Sequence, residues 1–207
     1  MFNPPSFRET RPDVLHAAIR AHPLATLVTH GPQGMSANLL PFVLGRSEDG
    51  GDVLRAHLTR TNSQLADLRA GAEALVIVQG PQAYITPSWY PTKAEHGKAV
   101  PTWNYVMVQL RGTPHVIDDP QWLRTQIDAL TDQQESGLPD PWSADDAPAP
   151  FIKALLKGIV GLEILIERME GKWKISQNQP AINRAGVVAG LRKIDAGCPM
   201  AEMIPPG

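Results

Sequence analysis

The 207-residue sequence predicts an α+β fold, a small antiparallel β-barrel with peripheral helices. Six or seven short runs of β-forming residues recur along the chain, and the first three are separated by Gly-Pro-Gln-Gly and Ser-Glu-Asp-Gly-Gly, which is hairpin chemistry. Apolar residues at helical spacing appear instead at the start, middle and end. Such an alternation of meander and isolated helices fits a closed or partly closed barrel with helices at its ends.

Each element follows from local chemistry. Residues 11–21 place Val14, Leu15, Ala18 and Ile19 on one helical face, with Pro12 in the first turn and His22-Pro23 as the stop. Strands are expected over 24–30, 35–44 and 52–58. Asn62 then stands as the cap of a short helix over 63–70, with Leu65 and Leu68 inward. Strands resume over 74–79 and 83–86, and a long one covers 104–117. Asp118-Asp119-Pro120 opens a helix over 121–134, with carboxylates at the positive end of the dipole. Residues 137–150, rich in Pro, Asp and Ala, read as an extended loop, followed by a short helix over 151–157. In 162–169, Glu163 and Glu167 alternate with Leu162, Ile164 and Ile166, a strand with one buried face. Gly171 is expected to turn the chain into 173–176, and a last helix covers 181–191. The whole reads as one domain, residues 1–207, with a C-terminal helical extension.

Composition narrows the function classes. A net charge of −2 and a pI near 6.3 supply no global basic field to draw the molecule onto nucleic acid or an anionic membrane. A single cysteine, Cys198, excludes an internal disulfide and a cysteine-rich zinc site. No apolar run reaches the roughly 18 residues of a membrane span. The first residues lack a signal-peptide pattern, so a cytoplasmic location is expected. The six histidines at 16, 22, 30, 57, 96 and 115 show no metal-ligand spacing, and no metal is expected. Neither a Gly-x-Ser-x-Gly elbow nor a Gly-x-Gly-x-x-Gly or Walker-type loop occurs.

Three constellations remain as carriers of chemistry. Residues 85–105 gather Trp89, Tyr90, Trp103 and Tyr105 with Lys93, Lys98 and Asn104, in a chain only 6% aromatic. Large π surfaces beside hydrogen-bonding and cationic groups suit a planar, polar ligand, with Gly97 letting the spacer between the two motifs move. The same residues would equally serve as a hairpin over an aromatic core. Residues 57–64, His-Leu-Thr-Arg-Thr-Asn-Ser-Gln, leave a strand and enter a helix, offering Arg60, hydroxyls, amides and open N–H groups to a phosphate. Polar residues at any strand-to-helix turn look similar. Residues 173–180 close a strand with a row of amides that could meet a heteroaromatic edge or cap the last helix.

These motifs carry a resemblance. Residues 1–7, 23–29 (Pro-Leu-Ala-Thr-Leu-Val-Thr), 56–62, 84–93 (Tyr-Ile-Thr-Pro-Ser-Trp-Tyr-Pro-Thr-Lys), 100–105 (Val-Pro-Thr-Trp-Asn-Tyr) and 172–178 resemble, in order, the PaiB family of FMN-binding negative transcriptional regulators. The resemblance implies a split antiparallel β-barrel of the FMN-binding type and FMN as cofactor. It also implies a homodimer with its sites at the interface. Cofactor contacts are implied at His57, Thr59, Arg60, Thr61, Asn62 and Gln64, then at Trp89, Tyr90, Lys93, Trp103, Asn104 and Gln109, and finally at Gln177 and Asn178. Gln109 stands where relatives commonly carry histidine, and Ser63 where proline is usual. The first change removes a proton-transfer or haem-ligating group while keeping a hydrogen-bonding amide. No catalytic residue emerges. The expected function is a flavin-dependent redox protein, reduced by a nicotinamide, or a flavin-responsive regulator. A cofactor-free sensing or interaction protein is the alternative. Direct DNA binding is disfavoured, because no basic recognition helix is present.

Overall fold

The computed structural model describes residues 1–206, His96 by its backbone alone. In chain order the elements are β1 (Arg8–Glu9), α1 (Pro12–Ala21), β2 (Leu24–Gly31), β3 (Gly34–Pro41), β4 (Val43–Arg46), β5 (Asp52–Thr59), α2 (Leu65–Arg69) and β6 (Ala74–Ile85). They continue as α3 (Lys93–His96), β7 (Thr102–Ile117), α4 (Pro120–Glu135), α5 (Ala149–Leu156), β8 (Ile159–Lys174), α6 (Ala181–Ile194) and α7 (Pro199–Met203). The strands make one antiparallel eight-stranded sheet in the order β3-β2-β6-β7-β8-β5-β4, with β1 paired to β8.

The chain divides into two compact units. The first comprises Met1–Leu15, Gln79–Val108 and Glu170–Gly207, and the second His16–Val78 and Gln109–Met169. The second unit holds the β2–β3 hairpin, closed by a two-residue turn at Pro32-Gln33 with Gly31 opposite Gly34. Gly34 has φ +98°, a conformation that side chains other than glycine's resist. Its core is filled by Leu27, Phe42, Leu54, Leu110, Leu123, Leu162 and Ile164, all essentially inaccessible. On β5 and β8 the antiparallel register sets Arg55 opposite Glu163, and the two form an ion pair at 2.7 Å. Asp119 caps α4 by accepting from the Gln121 N–H at 2.8 Å, with Pro120 at the first position, as the sequence requires.

The first unit is organised around Ile85, Tyr90, Val187, Leu191, Met200, Ala201 and Ile204. Helix α6 lies against the turn Pro87–Trp89 because Gly186 and Gly190 leave room for it. A Cβ on Gly186 would sit 2.1 Å from the Trp89 carbonyl oxygen, and one on Gly190 within 2.5 Å of the indole.

Three expected boundaries move. Strand β6 continues through Gly80-Pro81, where a break was expected; its pairing with β2 runs only through Leu75, Val76 and Ile77, so the missing Pro81 N–H costs that ladder nothing. Gly171 does not turn. It continues β8, opposite Glu9 of β1, and a Cβ there would meet Leu15 and Trp173. The run 35–44 splits into β3 and β4 around Phe42, whose N–H donates to the Pro23 carbonyl at 2.8 Å while its ring is buried.

Candidate functional site

In the second unit, β5 delivers residues 57–64 to the start of α2. Arg60 is anchored through two nitrogens of its guanidinium: Nε donates to the Lys157 carbonyl at 2.9 Å and Nη1 to Asp118 Oδ1 at 2.5 Å. The Arg60 hydrogen bond is the main reason that the Asp118 carboxyl is held below its ordinary range. Thr59 and Thr61 are exposed, with their hydroxyl oxygens 3.3 Å apart. These three side chains make a polar surface that an oxyanion could meet. The helix itself begins later than expected, at Leu65, because Asn62 Oδ1 accepts from the Gln64 N–H at 2.9 Å and closes a tight turn first.

One implied cofactor contact in this stretch is spent on structure, and a second is held through one ring nitrogen. Gln64 is fully buried, donating from Nε2 to the Leu27 and Ser36 carbonyls and to Thr29 Oγ1 while accepting from Asn38. It ties α2 to the β2–β3 hairpin and offers nothing outward. His57 Nδ1 lies 2.7 Å from Gln126 Oε1 of α4, which fixes its ring. Gln109 is half-buried on β7 in this same unit.

In the first unit the aromatic motifs separate by role. Trp89 packs its indole on α6 at Gly190. Tyr90 is buried, and that burial raises its phenol pKa, so the hydroxyl stays protonated. Lys93 is exposed in the first turn of α3, which ends at Gly97 in the left-handed conformation, φ +66°. Strand alternation on β7 sends Trp103 and Tyr105 to one face and Asn104 to the other. Trp103 is 53% exposed and meets Tyr84 edge-on with centroids 5.8 Å apart. Together with Gln79, Gln82, Tyr105 and Met107 it lines a cavity of about 370 Å³, aromatic and apolar with amides at its edge.

Asn104 faces a second cavity of similar volume, about 370 Å³, and joins Tyr90 and Asn178 there. Its Nδ2 donates to Ser176 Oγ at 2.8 Å, and both side chains are buried. Ser176 has φ +61°, the one non-glycine residue with positive φ among those described, so the chain bends sharply where the amide row begins. Gln177 uses its amide on that bend, donating to the Trp173 carbonyl and accepting from the Ile175 N–H, and holds the turn instead of a ligand. The far wall is Asn183 of α6, hydrogen-bonded to Thr92 and Gln179. Lys174, which also lines this cavity, donates to Thr102 Oγ1. Lys174 lies within the 173–180 constellation without a role of its own there, and Asn183 is not singled out in the sequence. Period-2 alternation from Trp173 to Ser176 and the position of Asn183 in the first turn of α6 were the available signals.

Residues 1–168 match the family described as "Putative FMN-binding domain". An uncharacterized protein of Emericella nidulans is 33% identical over 95% of this chain and 93% of its own length. The protease synthase and sporulation protein PAI 2 of Bacillus subtilis is 27% identical over 93% of this chain and 89% of its own. Among solved structures, the conserved hypothetical protein Rv2991 of Mycobacterium tuberculosis superposes with a TM-score of 0.61 at 13% identity, covering 87% of this chain and 94% of that one. The FAD and heme binding protein of Mycobacterium smegmatis gives 0.56 at 21% identity, with 81% and 73% covered. The matched segment contains both the 57–64 junction and the Trp-Tyr-Pro and Pro-Thr-Trp-Asn-Tyr motifs, and the neighbours share the split-barrel fold expected of them. The chain therefore belongs to the FMN-binding domain family, with FMN as its cofactor and a PaiB-like split barrel as its fold.

Proposed function

We propose that the chain is an FMN-dependent redox protein, reduced by a nicotinamide donor and working as a cytoplasmic homodimer. The observation that carries this reading is the family match across both motif regions. When bound, FMN supplies the hydride chemistry, and the protein's part is to anchor and orient it. The exposed Thr59, Arg60 and Thr61 surface of the second unit is the candidate phosphate anchor; within the first unit, the Trp103 cavity, with its aromatic wall and the amides of Gln79 and Gln82, is of a kind that suits a planar heteroaromatic ring. The two belong to different units and are tested separately.

Arg60 already has a carboxylate partner, so a phosphate must compete with Asp118. Removing the guanidinium by Arg60→Ala should weaken FMN about tenfold while leaving riboflavin within about twofold, the loss of one charge-assisted hydrogen bond. Asp118→Asn should tighten FMN. Both are read by titration with flavin fluorescence. Equal weakening of FMN and riboflavin by Arg60→Ala would remove Arg60 from the phosphate, and a wild-type chain indifferent to FMN would defeat the whole reading.

A second reading, a flavin-responsive regulator acting through a partner, draws on the likeness to the PAI 2 protein, whose name links it to sporulation. Direct contact with DNA has little support. Of the basic residues on α6, Arg184 donates to the carbonyls of Gln179, Pro205 and Pro206, and Arg192 pairs with Glu202. Nicotinamide-dependent bleaching of flavin absorbance favours the redox reading, and salt-sensitive gel retardation favours the regulator.

A further inference from the structure

The cavity at Lys174 is chemically unlike a flavin platform. Its lining includes two cations, Lys98 and Lys174, and among the described residues no carboxylate. Hydroxyl and amide groups from Thr92, Thr102, Asn104, Asn178 and Asn183 supply the rest of the polar surface. The wall is set before any ligand arrives: Asn104 is locked on Ser176 and Asn183 on Thr92 and Gln179, with both asparagines more than nine-tenths buried. Lys174 is half-buried and spends one N–H on Thr102, which leaves two donors of its ammonium. The Tyr90 phenol, whose pKa burial pushes further above its ordinary value, brings no negative charge to the lining. A concave polar wall around the Lys174 ammonium, with no carboxylate in the described lining, recognises an acid group. The lining residues from Lys174 to Asn183 also lie beyond residues 1–168, the part matched to the FMN-binding family.

We propose that this cavity is an oxyanion subsite, which takes the carboxylate or phosphate end of a small polar substrate and is separate from the Thr59, Arg60 and Thr61 surface proposed for the FMN phosphate. Tyr90, Asn104 and Asn178, which the PaiB resemblance counts among the FMN contacts, line this subsite instead. As the substrate end of a flavin reaction it rests on the redox reading; as a binding site it stands alone.

The test is isothermal titration of the full chain with inorganic phosphate and with malonate, at fixed pH and ionic strength against chloride, for wild type and four variants. Saturable binding of at least one probe is expected, phosphate and malonate separating the two acid classes. Lys174→Met should weaken it at least tenfold, and Lys174→Arg should restore most of it. Asn178→Asp, at an exposed position that tolerates the change, should weaken it by setting a like charge on the wall, which keeps the test valid where Lys174→Met fails to fold. Arg111→Ala, which removes a surface cation paired with Glu73, should leave it unaltered. In parallel, Lys174→Met should keep the wild-type preference for FMN over riboflavin. The proposal is overturned if neither probe saturates, if Lys174→Met and Asn178→Asp bind like wild type, or if Lys174→Met abolishes the FMN preference, since the anion held there would then be FMN's own phosphate. A wild-type chain that binds phosphate or malonate but not FMN leaves the subsite standing and removes the flavin reading.

Discussion

Gln64 illustrates how a residue named by motif position can serve shape instead of ligand. Its amide is completely buried and satisfies two carbonyls, a hydroxyl and an asparagine amide at once. Gln64→Leu would leave those groups short of partners inside the protein, a cost of about 1–3 kcal/mol. A urea midpoint shift of that size with unchanged FMN affinity is expected; the reverse pattern would return Gln64 to the site. Nothing in the sequence distinguishes it from Asn62 or Thr61, because all three are small-to-medium polar residues at one strand-to-helix turn, and only the position of the β2–β3 hairpin decides which is covered. Charge at the amino-terminal segment is equally local. Glu9 accepts from the Arg11 guanidinium, which is the largest cause of a carboxyl pKa lowered to about 2 from an ordinary 4.5. A depressed folded pKa stabilises above the unfolded value, and that stabilisation is lost as pH falls from about 4.5 toward 2. Glu9→Gln should therefore flatten the acid limb of a stability-against-pH curve in that window and leave the neutral region nearly level.

At the scale of elements, the strands and helices with clear periodicity were legible to within a few residues, and the failures cluster at glycine and proline. Gly171 and Gly80-Pro81 read as punctuation because turns favour both residue types. In the folded chain Gly171 is glycine for a different reason, the close approach of Leu15 and Trp173, and it stays in the strand. The same reasoning applies to α6. Gly186 and Gly190 lower its intrinsic helix propensity, yet they let the helix close on Trp89. Gly186→Ala would drive a Cβ into the Trp89 backbone carbonyl, which no change of rotamer relieves. A loss of about 1–3 kcal/mol is expected from overpacking, with displacement of the Trp89-Tyr90 turn. Gly190→Ala meets the indole instead, a side chain that can shift, and should cost less. The pair is compared by chemical denaturation followed through tryptophan fluorescence. Equal effects would mean that the helix, and not the turn, gives way.

For the molecule as a whole, the open question of physics is what covers its apolar strand face. Directly opposed residues on antiparallel strands share a side, so Leu24, Thr26, Val28 and His30 of β2 stand with Pro41, Leu39, Ala37 and Met35 of β3, and Ile77 and Leu75 of β6 continue the same face. Leu24, Met35 and Leu39 are 58%, 76% and 62% exposed, a contiguous apolar surface of the kind that marks an association site. No charged side chain stands at Met35, Ala37 or Leu39, so nothing at these positions repels a second copy. The homodimer proposed above would give this surface an occupant, a second copy of the chain. Leu39→Lys combined with Met35→Glu would place charges in the centre of such a contact while touching only exposed positions in one chain. The double variant should elute as a monomer by size exclusion with light scattering, fold with wild-type secondary structure, and lose FMN affinity if the cofactor is held between copies. A wild-type chain that is itself monomeric at micromolar concentration would remove the dimer. A variant that stays dimeric would move the interface to another face.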